Sequence, residues 1–300
     1  MKKLIPFFIL IVLSVFWIWI GVKSTPEFLN IITYPKNYNL VTANNDKDLK
    51  VELFLSNVDN YYTNIDNMTN EKLESSEGVI ELVIKEIVVL DTIKIKGEDY
   101  HRCYFIFKVN AQSNEVVQYD DVSLIINYDM IESVNILIGS VTLGIIPYSH
   151  DESGIMNLIS MEGIVSKVDG VKSLVAIVLT INAKEQLNIR KMQLYDDSAF
   201  ISGEEARLIE DDYENKTIDE LLGYKYNEKE YLGEDMNLIV TGKNTILFPV
   251  KNAKSLNETG FKLTYTINDI EYSFYYENFL FFNDLEKENM EYKKYSYAYH

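Results

Sequence analysis

The chain has 300 residues, of which 47% are hydrophobic and 25% charged, and its 46 acidic side chains outnumber 28 basic ones for a net charge of −18. Such a balance suits a globular chain and opposes binding to nucleic-acid phosphates or anionic lipid headgroups. The single cysteine, Cys103, excludes an internal disulfide framework.

The N-terminus opens with Met1-Lys2-Lys3, followed by an uncharged apolar run from Leu4 to Val22 that ends at Lys23. At 1.5 Å rise per residue the run reaches about 28 Å, close to the roughly 30 Å hydrocarbon core of a bilayer. It is read as a single-pass signal-anchor, with the lipid bilayer as the partner of Leu4 to Val22. Lys2 and Lys3 place the N-terminus in the cytoplasm and the bulk outside the cell. Trp17 and Trp19 suit an interfacial aromatic belt, or simply add apolar bulk. The rival reading is a cleaved secretory signal, with its best site after Ser24. Against it, the run is longer than a signal h-region, and Phe16-Trp17-Ile18-Trp19-Ile20-Gly21 is too bulky for a small-residue cleavage site. Cys103 is far from any lipid-attachment position. All acids lie beyond Lys23, so residues 24–300 carry −21. No second run spans a membrane, since Ile136–Ile146 is interrupted by Gly139, Ser140, Thr142 and Gly144, and Leu174–Ile181 is short.

Past the anchor, β-branched and aromatic runs predict strands at 51–55, 79–90, 100–109, 122–128, 134–146, 174–181, 187–195, 236–240, 246–250, 261–267 and 270–276. Asn268-Asp269 predicts a tight hairpin between the last two. Thr241-Gly242-Lys243-Asn244 predicts a second turn, because Gly242 and Asn244 tolerate positive φ. Helical signal is confined to 203–233, where Ser202-Gly203-Glu204-Glu205 and Thr217-Ile218-Asp219-Glu220 both fit a capping box and Gly223 supplies a stop. The expected architecture is mainly β: a transmembrane helix followed by two antiparallel β-sandwich domains. The division runs 1–23, 24–150, 151–285 with a helical insertion near 203–233, and a polar Tyr-rich tail at 286–300.

Two segments echo one another. Ile106-Phe107-Lys108-Val109-Asn110-Ala111 leads through a polar turn to Tyr119-Asp120-Asp121, and Val178-Leu179-Thr180-Ile181-Asn182-Ala183 leads likewise to Tyr195-Asp196-Asp197. A strand ending in Asn, a polar turn, then a strand leading to an acidic pair resembles the immunoglobulin-like domains of exported Gram-positive bacterial proteins. The resemblance implies a sandwich fold and a surface interaction role, and carries over no catalytic residue. The chain departs from the pattern in lacking the lipid-attachment Cys, and its turn reads Ala-Lys-Glu-Gln.

Chemistry-bearing patterns are sparse. His101, His150 and His300 form no zinc motif. Cys103 and His101 lie two apart on one strand and point in parallel, which does not make a nucleophile–base pair. Asn44, Asp46 and Asp48 match the first ligands of an EF-hand loop, but Leu49 and Leu55 stand where Gly and Glu are required. Asp196-Asp197 and Asp211-Asp212 read as solvated acids or as an irregular calcium site. Tyr61-Tyr62, Tyr272-Ser273-Phe274-Tyr275-Tyr276 and the tail tyrosines 292, 295, 297 and 299 read as sheet packing or as an interface. No catalytic, cofactor or metal residue is expected. The functional expectation is a non-enzymatic surface module binding a membrane protein or a cationic peptide. Its alternatives are a wall-glycan hydrolase using acids of 203–233 and a scaffold of a secretion or transporter complex.

Overall fold

Alternating apolar and polar residues resolve into sixteen strands among the described residues of the computed structural model, which are 27–43, 47–109, 116–147, 151–210, 212–227, 233–253, 256, 258–281 and 291–299. The expected anchor at 4–22 and the cleavage candidate Ser24 lie outside them. Among the described residues no helix is long and apolar enough to cross a membrane.

The first body holds β1 (Glu27–Thr33), β2 (Lys36–Thr42), β3 (Lys47–Leu55), β4 (Met68–Glu74), β5 (Val79–Ile95), β6 (Glu98–Val109), β7 (Val117–Tyr128), β8 (Val134–Ile145) and β16 (Lys293–Tyr299). They form a nine-stranded sheet in the order β16-β1-β3-β6-β5-β4-β7-β8-β2. Inward side chains from its two halves share one core, with Leu29, Leu53 and Phe107 meeting Leu124, Ile136 and Val141. Each such side chain, fully buried, stabilises by about 1.5–3 kcal/mol. The sheet therefore curls until its ends meet. The closure uses tyrosine hydroxyls: Tyr295 Oη accepts from Leu137 N at 3.0 Å, while Tyr297 Oη accepts from Asn135 N at 2.9 Å and donates to Asn135 O at 2.7 Å. Along the rest of that β8 edge β2 pairs in parallel, a departure from the purely antiparallel expectation.

The tail placed at 286–300 is thus no separate appendage over its last residues, since β16 pairs with β1 from Glu27↔Tyr299 to Thr33↔Lys293. The alternation of Tyr295 and Tyr297 has its cause in this edge: one face is buried and the other is wet.

The second body holds β9 (Met156–Val168), β10 (Val171–Leu194), β11 (Phe200–Ile201), β12 (Arg207–Ile209), α1 (Ile218–Leu222), β13 (Asp235–Lys251), β14 (Glu258–Ile267) and β15 (Ile270–Leu280). Strands β10 and β13 run through the whole body side by side. The first half of β10 pairs with β9, and its second half pairs with β14. Two expected turns therefore fall inside continuous strands. Lys184-Glu185-Gln186 forms a bulge in β10 opposite Thr241, and Gly242 takes φ +67° without ending β13. Facing irregularities bend both strands together, the usual action of a bulge. Asn268 and Asp269 do make the tight hairpin, with φ of +49° and +66° and Ile267 opposite Ile270.

Among the described residues of 203–233 the helical part is smaller than expected. Thr217 caps α1 in a complete capping box and Gly223 ends it at φ +74°. Ser202-Gly203-Glu204-Glu205 forms a turn instead, because Gly203 packs on the backbone of Glu234 and Glu205 is drawn into the interior. The two echoing segments also differ: β6 and β7 are separate strands with no pairing between them, while 178–197 is nearly all one bent strand.

The bodies meet where β2 packs against β14 and β15. Asn39 Nδ2 donates to Glu277 O at 3.0 Å and Asn278 Oδ1 at 2.9 Å, and Ala43 N donates to Glu277 Oε1 at 2.8 Å. Val41, Ile146 and Tyr195 form an apolar plug between them.

Candidate functional site

One side of the second body carries no further strand among the described residues. Among the described residues β9 pairs only with β10, and β15 pairs only with β14 apart from a bridge between Phe274 and Asp151. Between these two strand edges lies a recess of about 490 Å³. Its walls are apolar, with Met156, Leu158, Met161, Phe274, Tyr276 and Phe279, and Asn157 and Ser160 add polar groups. Ile159 stands 51% exposed on its rim.

Asp151 fixes one end of the recess. Its carboxylate accepts from Ser153 N at 3.2 Å and Met156 N at 2.9 Å, and it takes the Tyr265 hydroxyl as well. Burial, then the Asp151 carboxylate, push the Tyr265 phenol above its ordinary range, so it stays a donor. Glu152 continues the stitch, accepting from Ser273 N at 2.7 Å on β15. These acids are occupied in holding the 151–156 segment to the strand edge. Among the described residues, what the recess presents to a visitor is the outer edge of β9 beside an apolar floor.

The sequence candidates are scattered. His101 Nδ1 lies 3.2 Å from the Thr92 hydroxyl on the neighbouring strand, and Cys103 is buried beneath the same sheet. Burial pushes the Cys103 thiol up to about 11. His150, His300, Asn44, Asp46 and Asp211 lie outside the described residues. Asp48 pairs with Lys85 and Asp212 with Lys216, each at 2.7 Å. Among the described residues no group of three His, Cys, Asp or Glu side chains is placed to hold a metal ion. Tyr61, Tyr62 and Tyr128 pack together with Tyr297 inside the first body, and Tyr128 donates to Tyr62 O at 2.9 Å. Asp196 and Asp197 sit at the joint between the bodies.

Sequence reasoning missed one cluster. Lys251 and Glu205 pair at 2.6 Å with side chains 0% and 3% exposed. Lys251 also donates to Asn227 O at 2.9 Å and lies 4.4 Å from the centre of the Tyr226 ring, and Tyr224 donates to Glu205 at 2.6 Å. Burial pushes the Glu205 carboxyl up, but the bonds from Lys251 and Tyr224 outweigh it and hold the group below its ordinary range. This cluster ties the 202–227 excursion to β13.

No protein-family model matches the chain, and no curated protein matches it. Among solved structures it is similar to a titin Z1Z2 tandem functionalised with a GRGDS peptide from fibronectin, at 8% identity, covering 84% of this chain and 96% of that one, TM-score 0.17. It is also similar to the C-terminal domain of BspA, an AgI/II polypeptide of Streptococcus agalactiae, at 8% identity, covering 81% and 96%, TM-score 0.21. A structure of titin Z1Z2 in complex with telethonin gives 8% identity, 84% and 95% coverage, and a TM-score of 0.22. Likenesses this slight bear on neither fold nor function.

Proposed function

We propose that the chain is a non-enzymatic surface module, held at the outer face of a membrane by residues 4–22, whose second body binds an extended polypeptide along the recess between β9 and β15. Both bodies are read as immunoglobulin-like sandwiches. The observation that carries the reading is the outer edge of β9, which among the described residues pairs with no strand but β10 and borders an apolar recess. An added strand satisfies edge N–H and C=O groups and drops alternate side chains onto the floor, the mode of β-augmentation. The tethering rests on the length of the apolar run and its flanking lysines. The first described strand, β1, begins 5 residues after Val22 and is paired along its length with the last, β16.

The test uses the full chain in detergent micelles against a displayed library of extended peptides. Selected peptides should lose affinity at least about tenfold, the equivalent of 1.4 kcal/mol, with Ile159→Lys, which puts a charge beside the edge. They should bind unchanged to Met130→Lys, placed on an exposed loop of the first body. Selected peptides that ignore Ile159→Lys overturn the recess as the site. Separately, alkaline carbonate extraction of producing cells should leave the chain in the membrane fraction, and its release overturns the tether.

A further inference from the structure

The joint between the bodies brings like charges together across two bridging amides. Gln118, on β7, donates from Nε2 to Asp120 Oδ1 at 2.8 Å and accepts at Oε1 from Asp197 N at 2.7 Å. One side-chain amide therefore separates an acid of the first body from the acidic pair of the second. Asn37, on β2, donates to the buried Asp196 carboxylate and, at 3.3 Å, to Ser198 Oγ. A recess of about 370 Å³ lined by Asp196, Asp197 and Glu234 adjoins the bridge. Lys191 is paired with Glu234 at 2.7 Å, so the nearby cation is already committed. On the far side of the joint Lys47 donates to Asn39 O at 2.7 Å and faces Glu258 and Glu277.

We infer that the joint is a charge-loaded hinge, held shut by the Gln118 and Asn37 bridges together with the Asn39 and Ala43 bonds and the Val41-Ile146-Tyr195 plug, and forced apart by Asp120 facing Asp196 and Asp197, so that acid or salt closes it. Burial and then Asp196, Asp120 and Glu234 raise the Asp197 carboxyl above its ordinary value. A carboxyl raised in the closed state favours that state while protonated, and the preference is lost as pH rises through the raised value. Salt acts in the same direction by screening the repulsion. Lys47 with Glu258 and Glu277 works the opposite way, since acid removes the negative partners of a buried ammonium. The response therefore has to be assigned by variants rather than by pH alone. The hinge does not depend on the peptide recess or on the tether.

The test is a distance measurement by electron paramagnetic resonance on the full chain in micelles, with spin labels at Met130→Cys and Ile239→Cys, both exposed, while the buried Cys103 stays unlabelled. Lowering the pH from about 7.5 toward the ordinary aspartate range of about 4, or raising salt to about 0.5 M, should narrow the distribution and shift it to a single population. Asp197→Asn should give that narrow distribution already at the higher pH and lose most of the pH response. Asp120→Asn, at an exposed position, should act in the same direction without touching the second body. A parent distribution that ignores both pH and salt overturns the hinge, as does an undiminished pH response in the Asp120→Asn variant.

Discussion

Lys251 and Glu205 lie 46 positions apart in the chain, yet their side chains are ion-paired at 2.6 Å where neither reaches solvent. An isolated buried charge carries a penalty of several kcal/mol, which the partner, Tyr224 and the Asn227 carbonyl offset here. The pair is thus a condition for the excursion to dock, rather than a surplus of stability.

Removing one member should therefore be worse than removing both. Lys251→Met or Glu205→Leu alone should destabilise by about 3–5 kcal/mol, and the double variant by less than either. Denaturant titrations of the four proteins measure this, and additive losses would mean that the two charges do not interact. Glu205 titrates below its ordinary range, so its contribution is present above the unfolded value and is lost as pH falls through the lower folded value.

Tyr297 closes the curled first sheet by serving both Asn135 N and Asn135 O. Tyr297→Phe keeps the ring and strands two edge groups, so it should lower stability by about 1–3 kcal/mol. Truncation before Lys293 removes β16 altogether and exposes the length of β1. Hydrogen exchange should then show the 27–33 amides losing protection while the second body keeps its own. Unchanged protection of 27–33 would mean that β16 does not hold β1.

These relationships mark the boundary of what local sequence encodes. The Asn268-Asp269 hairpin and the Thr217 capping box were legible because each is settled by four neighbouring residues whose backbone and side-chain preferences agree. The second capping box failed because Glu205 had a stronger partner far away in the chain. Lys184-Glu185-Gln186 and Thr241-Gly242-Lys243-Asn244 read as turns individually, and only their pairing across two strands makes them a shared bend. The recess between β9 and β15 has no local signal, since an unpaired edge has the same residues as a paired one. Tyrosine alternation in the tail was visible, but its partner is the edge of β8, about 160 residues earlier.

Gly139 sits on β8 at φ +116°, where a Cβ would lie 2.1 Å from Lys36 O, the start of the parallel pairing with β2. Backbone cannot give way as a side-chain tip can. Gly139→Ala should therefore lower stability by more than the roughly 1 kcal/mol of an ordinary strand substitution, and should loosen β2 first. Since β2 carries Asn37 and Asn39 into the joint, the same variant should broaden the distance between the two bodies. A variant as stable as the parent would show that β2 is not seated on Gly139.

Glu71, on β4, is only 7% exposed, and among the described residues its carboxylate accepts one long bond, 3.3 Å, from Ile84 N at a bulge in β5. Burial raises its titration above the ordinary 4.5, and the Ile84 amide only partly opposes this. A carboxyl raised in the folded state adds stability while protonated, and that stability is lost as pH rises through the folded value. At neutral pH the ion is therefore a liability. Glu71→Gln keeps the acceptor for Ile84 N and discards the charge. It should raise the melting temperature at pH 7, by an amount that shrinks as the parent is titrated toward the ordinary glutamate range. A glutamine variant that melts below the parent at pH 7 would mean that the ionised carboxylate is bound by a stronger donor than the Ile84 amide.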